Sequence, residues 1–280
     1  MPRLAANLDT LFTEWDAADR FAVAAKAGFK GVELSSPYDF GPGRLGDLLA
    51  MNGLELTVFD APAGNPDAGD RGLAAQPGRE GEFLDGLERA FELADFVEAK
   101  RIHVLAGVMP EDADFDSYYE TYVSNLGKAA REARSRGLLV MIQPISSTVI
   151  PDTFLTTPDQ ALAVIEDVDE PALCLMFDVF HAQMTQGRLT ETLEGALDRI
   201  AHVRAAGVPE GAEPDTGEVS YPFLFDRLDA DGYDGWVGLD YRPRLGTLPG
   251  LRWARAWGID AGGISAPKPA KNLDDSGKGL

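Results

Sequence analysis

A carboxylate and an imidazole follow a buried-strand pattern in the middle of the chain, and together they could do acid–base chemistry. The run Leu173-Cys-Leu-Met-Phe-Asp178-Val-Phe-His181 has five apolar residues, then the carboxylate, then the imidazole three positions on. A short uninterrupted apolar run is typical of a strand that is buried on both faces of a parallel sheet. Asp178 is then expected at the carboxyl end of its strand, where parallel α/β folds place their active sites. The alternative is that Asp178 only caps the next helix and that His181 packs beneath it.

Polar side chains also occur in or at the ends of five other apolar strand patterns. They are Glu33 inside the second strand and Ser35 near its end, His103 in the fourth strand, Gln143 after the fifth, Arg204 in the seventh and Asp240 in the eighth. Polar groups at such positions are costly to desolvate unless they pair with one another or bind a ligand. The carboxyl ends of barrel strands meet at one mouth, so we expect these side chains to converge there and to form a functional pocket.

The elements that must position these side chains alternate between strand and helix patterns. Eight of each, over about 255 residues, predict an α/β fold of the (β/α)8 TIM barrel type. An open doubly wound sheet is the alternative, but no Gly-x-Gly-x-x-Gly follows the first strand. We predict one barrel domain over residues 1–258 and a disordered tail over residues 259–280, where the apolar period stops. The predicted strands are 3–7, 31–35, 54–59, 101–106, 138–142, 173–178, 201–205 and 236–240, and the predicted helices are 15–27, 44–51, 80–98, 116–136, 158–167, 189–199, 221–231 and 246–257.

The overall charge restricts the class of partner. Formal net charge is −21, from 46 acidic and 25 basic residues, which repels nucleic acid and anionic membranes. No segment has the roughly 18 consecutive apolar residues of a membrane span, and the first residues lack the pattern of a secretory signal. We therefore expect a cytoplasmic protein that binds a small molecule and neither nucleic acid nor membrane. The sequence is also compatible with a homo-oligomer. The one cysteine, Cys174, lies in the buried-strand pattern and is expected to be an inert core thiol.

The sequence resembles the hydroxypyruvate isomerases, a group within the xylose-isomerase-like barrels, over about residues 1–257. Many separate blocks in the right order carry the resemblance. They are Leu11-Phe-Thr-Glu14, Phe29-Lys-Gly-Val-Glu33, Arg71-Gly-Leu-Ala74, Pro77-Gly-Arg-Glu80, Thr121-Tyr-Val-Ser-Asn-Leu126, Phe177-Asp-Val-Phe-His181, Glu213-Pro-Asp-Thr-Gly-Glu218, Tyr221-Pro-Phe-Leu-Phe225 and Gly232-Tyr-Asp-Gly-Trp-Val-Gly238.

The resemblance implies a metal-dependent isomerase. In that family two glutamates, at the ends of the fifth and eighth strands, move a proton between adjacent carbons through an enediol. The same two glutamates, an aspartate on the sixth strand and a glutamine or histidine on the seventh hold a divalent cation. The matching positions here are Gln143, Asp178, Arg204 and Asp240, and only Asp178 is the family's residue.

The three departures all weaken the family's chemistry. Gln143 cannot take a proton near neutral pH, and Asp240 withdraws its carboxylate by one methylene. Arg204 has no lone pair to offer a metal, and at ~5 Å and an effective dielectric of ~20 it would repel a divalent ion by roughly 6–7 kcal/mol. We therefore predict that no metal or other cofactor is used. Mg²⁺ or Mn²⁺ could bind to Gln143, Asp178 and Asp240 only if Arg204 points away from them.

Three further residues are candidates for contact with the substrate. Arg71 lies in a polar segment, residues 60–79, which is longer than most βα connections and could form a lid. It resembles the family's lid arginine, although a surface salt bridge is the alternative. Glu218 belongs to a retained Thr-Gly-Glu block, and His103 is expected at the rim of the mouth.

Three functions are compatible with these residues. We favour a repurposed, metal-independent enzyme that acts on a small hydroxy or keto acid or a sugar-derived substrate. It would be isomerase-like, as an isomerase or epimerase, or it would be a lyase that catalyses dehydration, retro-aldol cleavage or decarboxylation. Arg204 would be its electrophile, and Asp240 or His181 would be its acid–base group. The alternatives are a metal-dependent isomerase of the family's usual type and a binding protein without activity.

Overall fold

Eight parallel strands close into a barrel, in which β8 pairs with β1 and completes the circle. The computed structural model describes residues 1–267. This architecture confirms the predicted (β/α)8 barrel. The strands are β1 Arg3–Asn7, β2 Gly31–Leu34, β3 Glu55–Asp60, β4 Arg101–His103, β5 Leu139–Ile142, β6 Leu173–Asp178, β7 Ile200–Ala205 and β8 Trp236–Leu239.

Helices surround the barrel and bury one apolar face each. In the helix that follows β3 and its long loop, Phe83, Leu87 and Phe91 are buried at a spacing of four residues, as expected for one face of a helix. Among residues 1–267, no helix combines the length and the apolar character needed to cross a bilayer. The helices are α1 Asp19–Lys26, α2 Pro42–Asn52, α3 Glu80–Val97, α4 Phe115–Ser135, α5 Pro158–Val168, α6 Val179–Thr185, α7 Leu189–Ala196, α8 Tyr221–Ala230 and α9 Thr247–Gly250.

The barrel interior is apolar in its middle and polar at the carboxyl ends of the strands. Val58, Met141 and Met176 are fully buried and form a cluster separate from the core between strands and helices. Strand side chains alternate between faces, so the residue two positions after each of these also points inward. That next inward layer is polar on all three strands, and it forms the floor of the mouth.

The strand register brings the polar residues of this layer to one level. Asp178 of β6 lies opposite Arg204 of β7, and Arg204 lies opposite Gly238 of β8. Gly238 has no side chain, and the space beside it holds the carboxylate of Glu33 from β2. A Cβ atom at Gly238 would lie only 1.6 Å from Oε1 of Glu33. The missing side chain at Gly238 therefore leaves room inside the barrel for the buried carboxylate of Glu33.

Several element boundaries differ from the prediction. Helix α1 starts at Asp19 rather than Trp15, because the guanidinium of Arg20 donates to the carbonyls of Leu8 and Trp15 and holds that segment as a loop. Strand β4 ends at His103, since residues 105 and 106 accept hydrogen bonds from the long loop instead. The short helix α6 was not predicted. The predicted helix 246–257 is α9 followed by 3-10 turns over Arg252–Trp257.

The predicted tail is ordered at its start. Ile259 is buried against the core, and the backbone N–H of Asp260 donates to the carbonyl of Ala27 at 2.8 Å. Ordered structure therefore continues past the predicted boundary at residue 258. The remainder of the predicted tail, residues 268–280, lies outside the described residues.

Candidate active site

The guanidinium of Arg204 lies at the centre of the mouth. Its Nη1 donates to Oε1 of Gln143 at 3.1 Å and lies 3.3 Å from Oδ2 of Asp240. Its Nε donates to Oε2 of Glu33 at 3.0 Å. Burial alone would lower the pKa of Arg204, but Glu33 and Asp240 raise it well above its ordinary value. Arg204 is therefore a permanent cation that connects its own strand to residues on or directly after three others.

Gln143 and Asp178 form the next link in the same network. The side-chain Nε2 of Gln143 donates to Oδ2 of Asp178 at 2.9 Å, while its carbonyl oxygen faces Arg204. The other oxygen of Asp178 accepts the backbone N–H of His181 at 3.1 Å and caps helix α6. The capping role that was considered for Asp178 is therefore real, and it coexists with a place in the mouth.

His181 presents a neutral N–H group. Its Nδ1 accepts the backbone N–H of Ser146 at 3.2 Å, which places the ring proton on Nε2. Burial lowers the pKa of His181, and this effect together with Arg204 outweighs the opposing influence of Asp178. Among the described residues Nε2 has no protein partner, and it is not one of the fully enclosed polar atoms. A substrate oxygen could therefore accept a hydrogen bond from this N–H group.

Asp240 is the carboxylate best placed to act as a base. Its side chain is 25% exposed, so it is the most open of the residues around Arg204. Burial raises the pKa of Asp240 to about 6, although Arg204 opposes the shift. The negative charges of Glu33, Asp178 and Asp60 add to the increase. A general base is most effective when its pKa lies near the working pH, and this environment meets that condition.

Two pairs in the site were not predicted. His103 is buried at the rim as expected, but its Nδ1 lies 2.8 Å from Oδ1 of Asp60, a residue that was assigned only to the start of a loop. Nε2 of His202 lies 2.5 Å from Oε1 of Glu33. The available signal was Glu33 itself, because a charged residue inside an apolar strand requires a buried partner.

The other two predicted contact residues do not join the network. Arg71 is exposed, and its Nη1 donates to the carbonyls of Pro66 and Asp70. Glu218 is also exposed, and it accepts a hydrogen bond from Nε2 of Gln183 on α6 at 3.0 Å. A substrate role for either residue stays a prediction.

The residues present do not fit a divalent cation. Within residues 1–267, no group of three or more His, Cys, Asp or Glu side chains is arranged to hold a metal ion. Of the four positions that the resemblance assigns to a metal, Arg204 carries a positive charge and contacts both Gln143 and Asp240. Arg204 thus points into the site, towards the groups that the resemblance assigns to a metal. That no metal or other cofactor is used stays a prediction.

Known proteins with similar sequences and structures cover almost the whole barrel. Residues 21–257 match the family described as xylose isomerase-like TIM barrel. The 2-oxo-tetronate isomerase of Cupriavidus necator is 43% identical over 92% of this chain and 99% of its own length. The hydroxypyruvate isomerase of Escherichia coli is 41% identical over 90% of this chain and 98% of its own length.

A solved structure has the same fold. The Brucella melitensis protein described as AP endonuclease, family 2 superposes with a TM-score of 0.90 and 37% identity, over 92% of this chain and 99% of its own. The chain therefore belongs to the xylose isomerase-like TIM barrel family, beside relatives named hydroxypyruvate and 2-oxo-tetronate isomerases, and it is an enzyme of the isomerase type.

Proposed function

We propose that this protein moves a proton between adjacent carbons of a small hydroxy-oxo acid and does so without a divalent metal. In this proposal Arg204 and His181 are the electrophiles and Asp240 is the base. The observation that carries the proposal is the contact of Nη1 of Arg204 with Gln143 and Asp240, since it places a fixed cation among the groups that would otherwise hold a metal.

The proposed electrophiles are two hydrogen-bond donors that have no partner among the described residues. Among the described residues, Nη2 of Arg204 has no hydrogen-bond partner, and it is absent from the set of fully enclosed unpartnered atoms. Nε2–H of His181 is free in the same way. Donors that are fixed in a partly dry site stabilise the negative charge on an enediolate oxygen better than water does. A neutral imidazole can polarise a carbonyl group in this role.

The proton transfer needs only one base. The carboxylate of Asp240 removes the proton from the carbon that bears the hydroxyl group, and the electrons of the C–H bond form the C=C bond of an enediolate. The π electrons of the carbonyl group move to its oxygen, which Arg204 and His181 stabilise. Asp240 then returns the proton to the carbon of the former carbonyl group. The proton of the original hydroxyl group passes to the oxygen of the former carbonyl group, which becomes the new hydroxyl group. Because Gln143 cannot take a proton, the second base of the family's two-base scheme has no counterpart here.

The substrate class follows from the relatives and from the charge of the site. The relatives carry the names 2-oxo-tetronate isomerase and hydroxypyruvate isomerase, and both names denote small oxygenated acids. In a protein of net charge −21, the cationic Arg204 supports an acid substrate because its Nη2 donor is left for a substrate oxygen.

Hydrogen–deuterium exchange into the substrate tests the proposal directly. The protein is freed of metal by chelation and incubated in D₂O with hydroxypyruvate or 2-oxo-tetronate, and deuterium at the substrate carbon is followed by NMR. We expect exchange that persists in EDTA and falls by about 10²–10⁴-fold in Asp240→Asn. Exchange that requires added Mg²⁺ or Mn²⁺, or that survives in Asp240→Asn, would contradict the proposal.

A further inference from the structure

Glu33 lies beneath the mouth, where no substrate can reach it. Its side chain is completely buried, and both carboxylate oxygens are occupied. Oε1 lies 2.5 Å from Nε2 of His202, and Oε2 accepts hydrogen bonds from Nε of Arg204 at 3.0 Å and from Nδ2 of Asn7 at 3.4 Å. Burial alone would raise the pKa of Glu33, but Arg204 and His202 lower it below its ordinary value. Glu33 is thus a fixed anion directly below the guanidinium.

We propose that Glu33 is a positioning residue that aims the guanidinium of Arg204 into the mouth. The inference rests on the proposed role of Arg204 as electrophile. A guanidinium is a rigid plane, so an acceptor that holds Nε also fixes the directions of the two Nη groups. With Nε held from below, Nη1 spans Gln143 and Asp240, and Nη2 is left for the substrate.

Without Glu33, the network offers Arg204 only partners on the side of the mouth. Asp240 lies 3.3 Å from Nη1, and the other carboxylates that act on Arg204 are Asp60 and Asp178. Asp60 is already paired with His103, and Asp178 is already bonded to Gln143. A guanidinium free to rotate would form a two-pronged pair with a mouth carboxylate, since that geometry is its strongest. Such a pair with Asp240 would prevent Asp240 from acting as the base. It would also engage the Nη2 donor that is otherwise left for the substrate. Glu33 prevents this collapse by holding the guanidinium from the opposite side.

The surrounding barrel is built to accept this carboxylate. Gly238 faces it, and a Cβ atom there would lie 1.6 Å from Oε1 of Glu33 and 2.9 Å from Nε2 of His202. Among the described residues, the only polar partner of the His202 ring is Glu33, because its Nδ1 is buried without a hydrogen bond. A buried donor that serves one acceptor fixes the position of that acceptor. His202 and Gly238 together therefore fix Glu33, and Glu33 fixes Arg204.

The test follows the Nε–H group of Arg204 by ¹⁵N NMR on the whole protein, without any substrate. The signal is assigned by its loss in Arg204→Gln. In Glu33→Gln we expect its hydrogen exchange to accelerate at least about tenfold, because a neutral amide oxygen is a weaker acceptor than a carboxylate. Glu33→Asp keeps the negative charge but withdraws it by one methylene. This variant should also accelerate exchange while leaving the buried cation compensated, so it serves if Glu33→Gln folds poorly.

Thr57→Val is the matched control. Thr57 is as buried as Glu33 and donates to the carbonyl of Val32, but it does not contact Arg204. It should lower the melting temperature and leave the Arg204 signal unchanged. The inference is wrong if Arg204 exchanges at the wild-type rate in both Glu33 variants. It is also wrong if the kcat for deuterium exchange falls no more in those variants than in Thr57→Val. A wild-type protein that exchanges no deuterium overturns the proposed function instead, and the NMR signal still decides whether Glu33 holds Arg204.

Discussion

Nη1 of Arg204 lies 3.3 Å from Oδ2 of Asp240 and also donates to the amide oxygen of Gln143. These residues occupy three of the four positions that the family resemblance assigns to a metal and its two bases. The amide of Gln143 and the carboxylate of Asp240 both accommodate the guanidinium. Glu33, which lies below these three residues, supplies the negative charge that compensates the buried guanidinium.

Restoring the family residues should restore the family chemistry. We expect the triple variant Gln143→Glu, Arg204→Gln, Asp240→Glu to bind Mn²⁺ or Mg²⁺ and to isomerise hydroxypyruvate in a metal-dependent manner. The single variants should gain little, because each leaves either the cation or a missing base in place. The measurement is hydroxypyruvate turnover with and without Mn²⁺. A single variant that gains as much as the triple variant would contradict the account, because one position alone would then limit the family chemistry.

The rate should depend on the ionisation of Asp240. Burial raises the pKa of Asp240 to about 6, and a base acts only when it is ionised. We expect kcat/KM to rise with pH up to about 6 and then to level off. A pH profile of substrate deuterium exchange checks this expectation. A profile that is flat between pH 4 and pH 8 would rule out Asp240 as the base.

The free energy of unfolding should also depend on the ionisation of Asp240, but it should fall rather than rise as the pH increases. The folded pKa of about 6 lies above the ordinary value of 3.8, so the folded state holds the proton of Asp240 more tightly than the unfolded state does. This contribution to stability is complete below pH 3.8 and is lost as pH rises through 6. Relative to Asp240→Asn, the wild type should lose about 2 kcal/mol of unfolding free energy between pH 4 and pH 7. Urea unfolding at both pH values measures it, and an equal change in the two proteins would contradict the account.

Removing the central cation should destabilise the barrel. Arg204→Gln leaves the carboxylate of Glu33 buried without its main counter-charge, and breaking a buried pair in this way costs about 3–5 kcal/mol. Arg44→Gln is a suitable control, because Arg44 is exposed and stacks over the ring of Phe40. Denaturant unfolding of the two variants compares them. If Arg204→Gln is as stable as the control, the guanidinium does not hold the network together.

The barrel and most of its polar mouth could be predicted because strand periodicity carries the information. Asp178, Gln143 and Asp240 each end an apolar run, Arg204 lies near the end of its strand, and parallel strands bring such ends to one level. The approximate boundaries failed where side chains outside the pattern decide the backbone. Arg20, for example, ties the segment before α1 into a loop through two carbonyls.

The contacts beneath the mouth could not be predicted from one sequence. The proximity of Glu33 to His202 depends on the register between strands that are 169 positions apart in the chain. The gap at Gly238 that admits this carboxylate depends on the same register. The lid role of Arg71 likewise came from resemblance alone, and the local carbonyls that hold its side chain do not test it.

The most direct measurement of the central claim is a Mn²⁺ titration of the wild-type protein, followed by electron paramagnetic resonance of the free ion. If Arg204 takes the place of the cation, the free Mn²⁺ signal should match that of protein-free buffer at micromolar concentrations, and EDTA should leave the melting temperature unchanged. The triple variant Gln143→Glu, Arg204→Gln, Asp240→Glu serves as the positive control and should deplete the signal. One Mn²⁺ bound tightly per wild-type chain, with a melting temperature several degrees higher, would contradict the account.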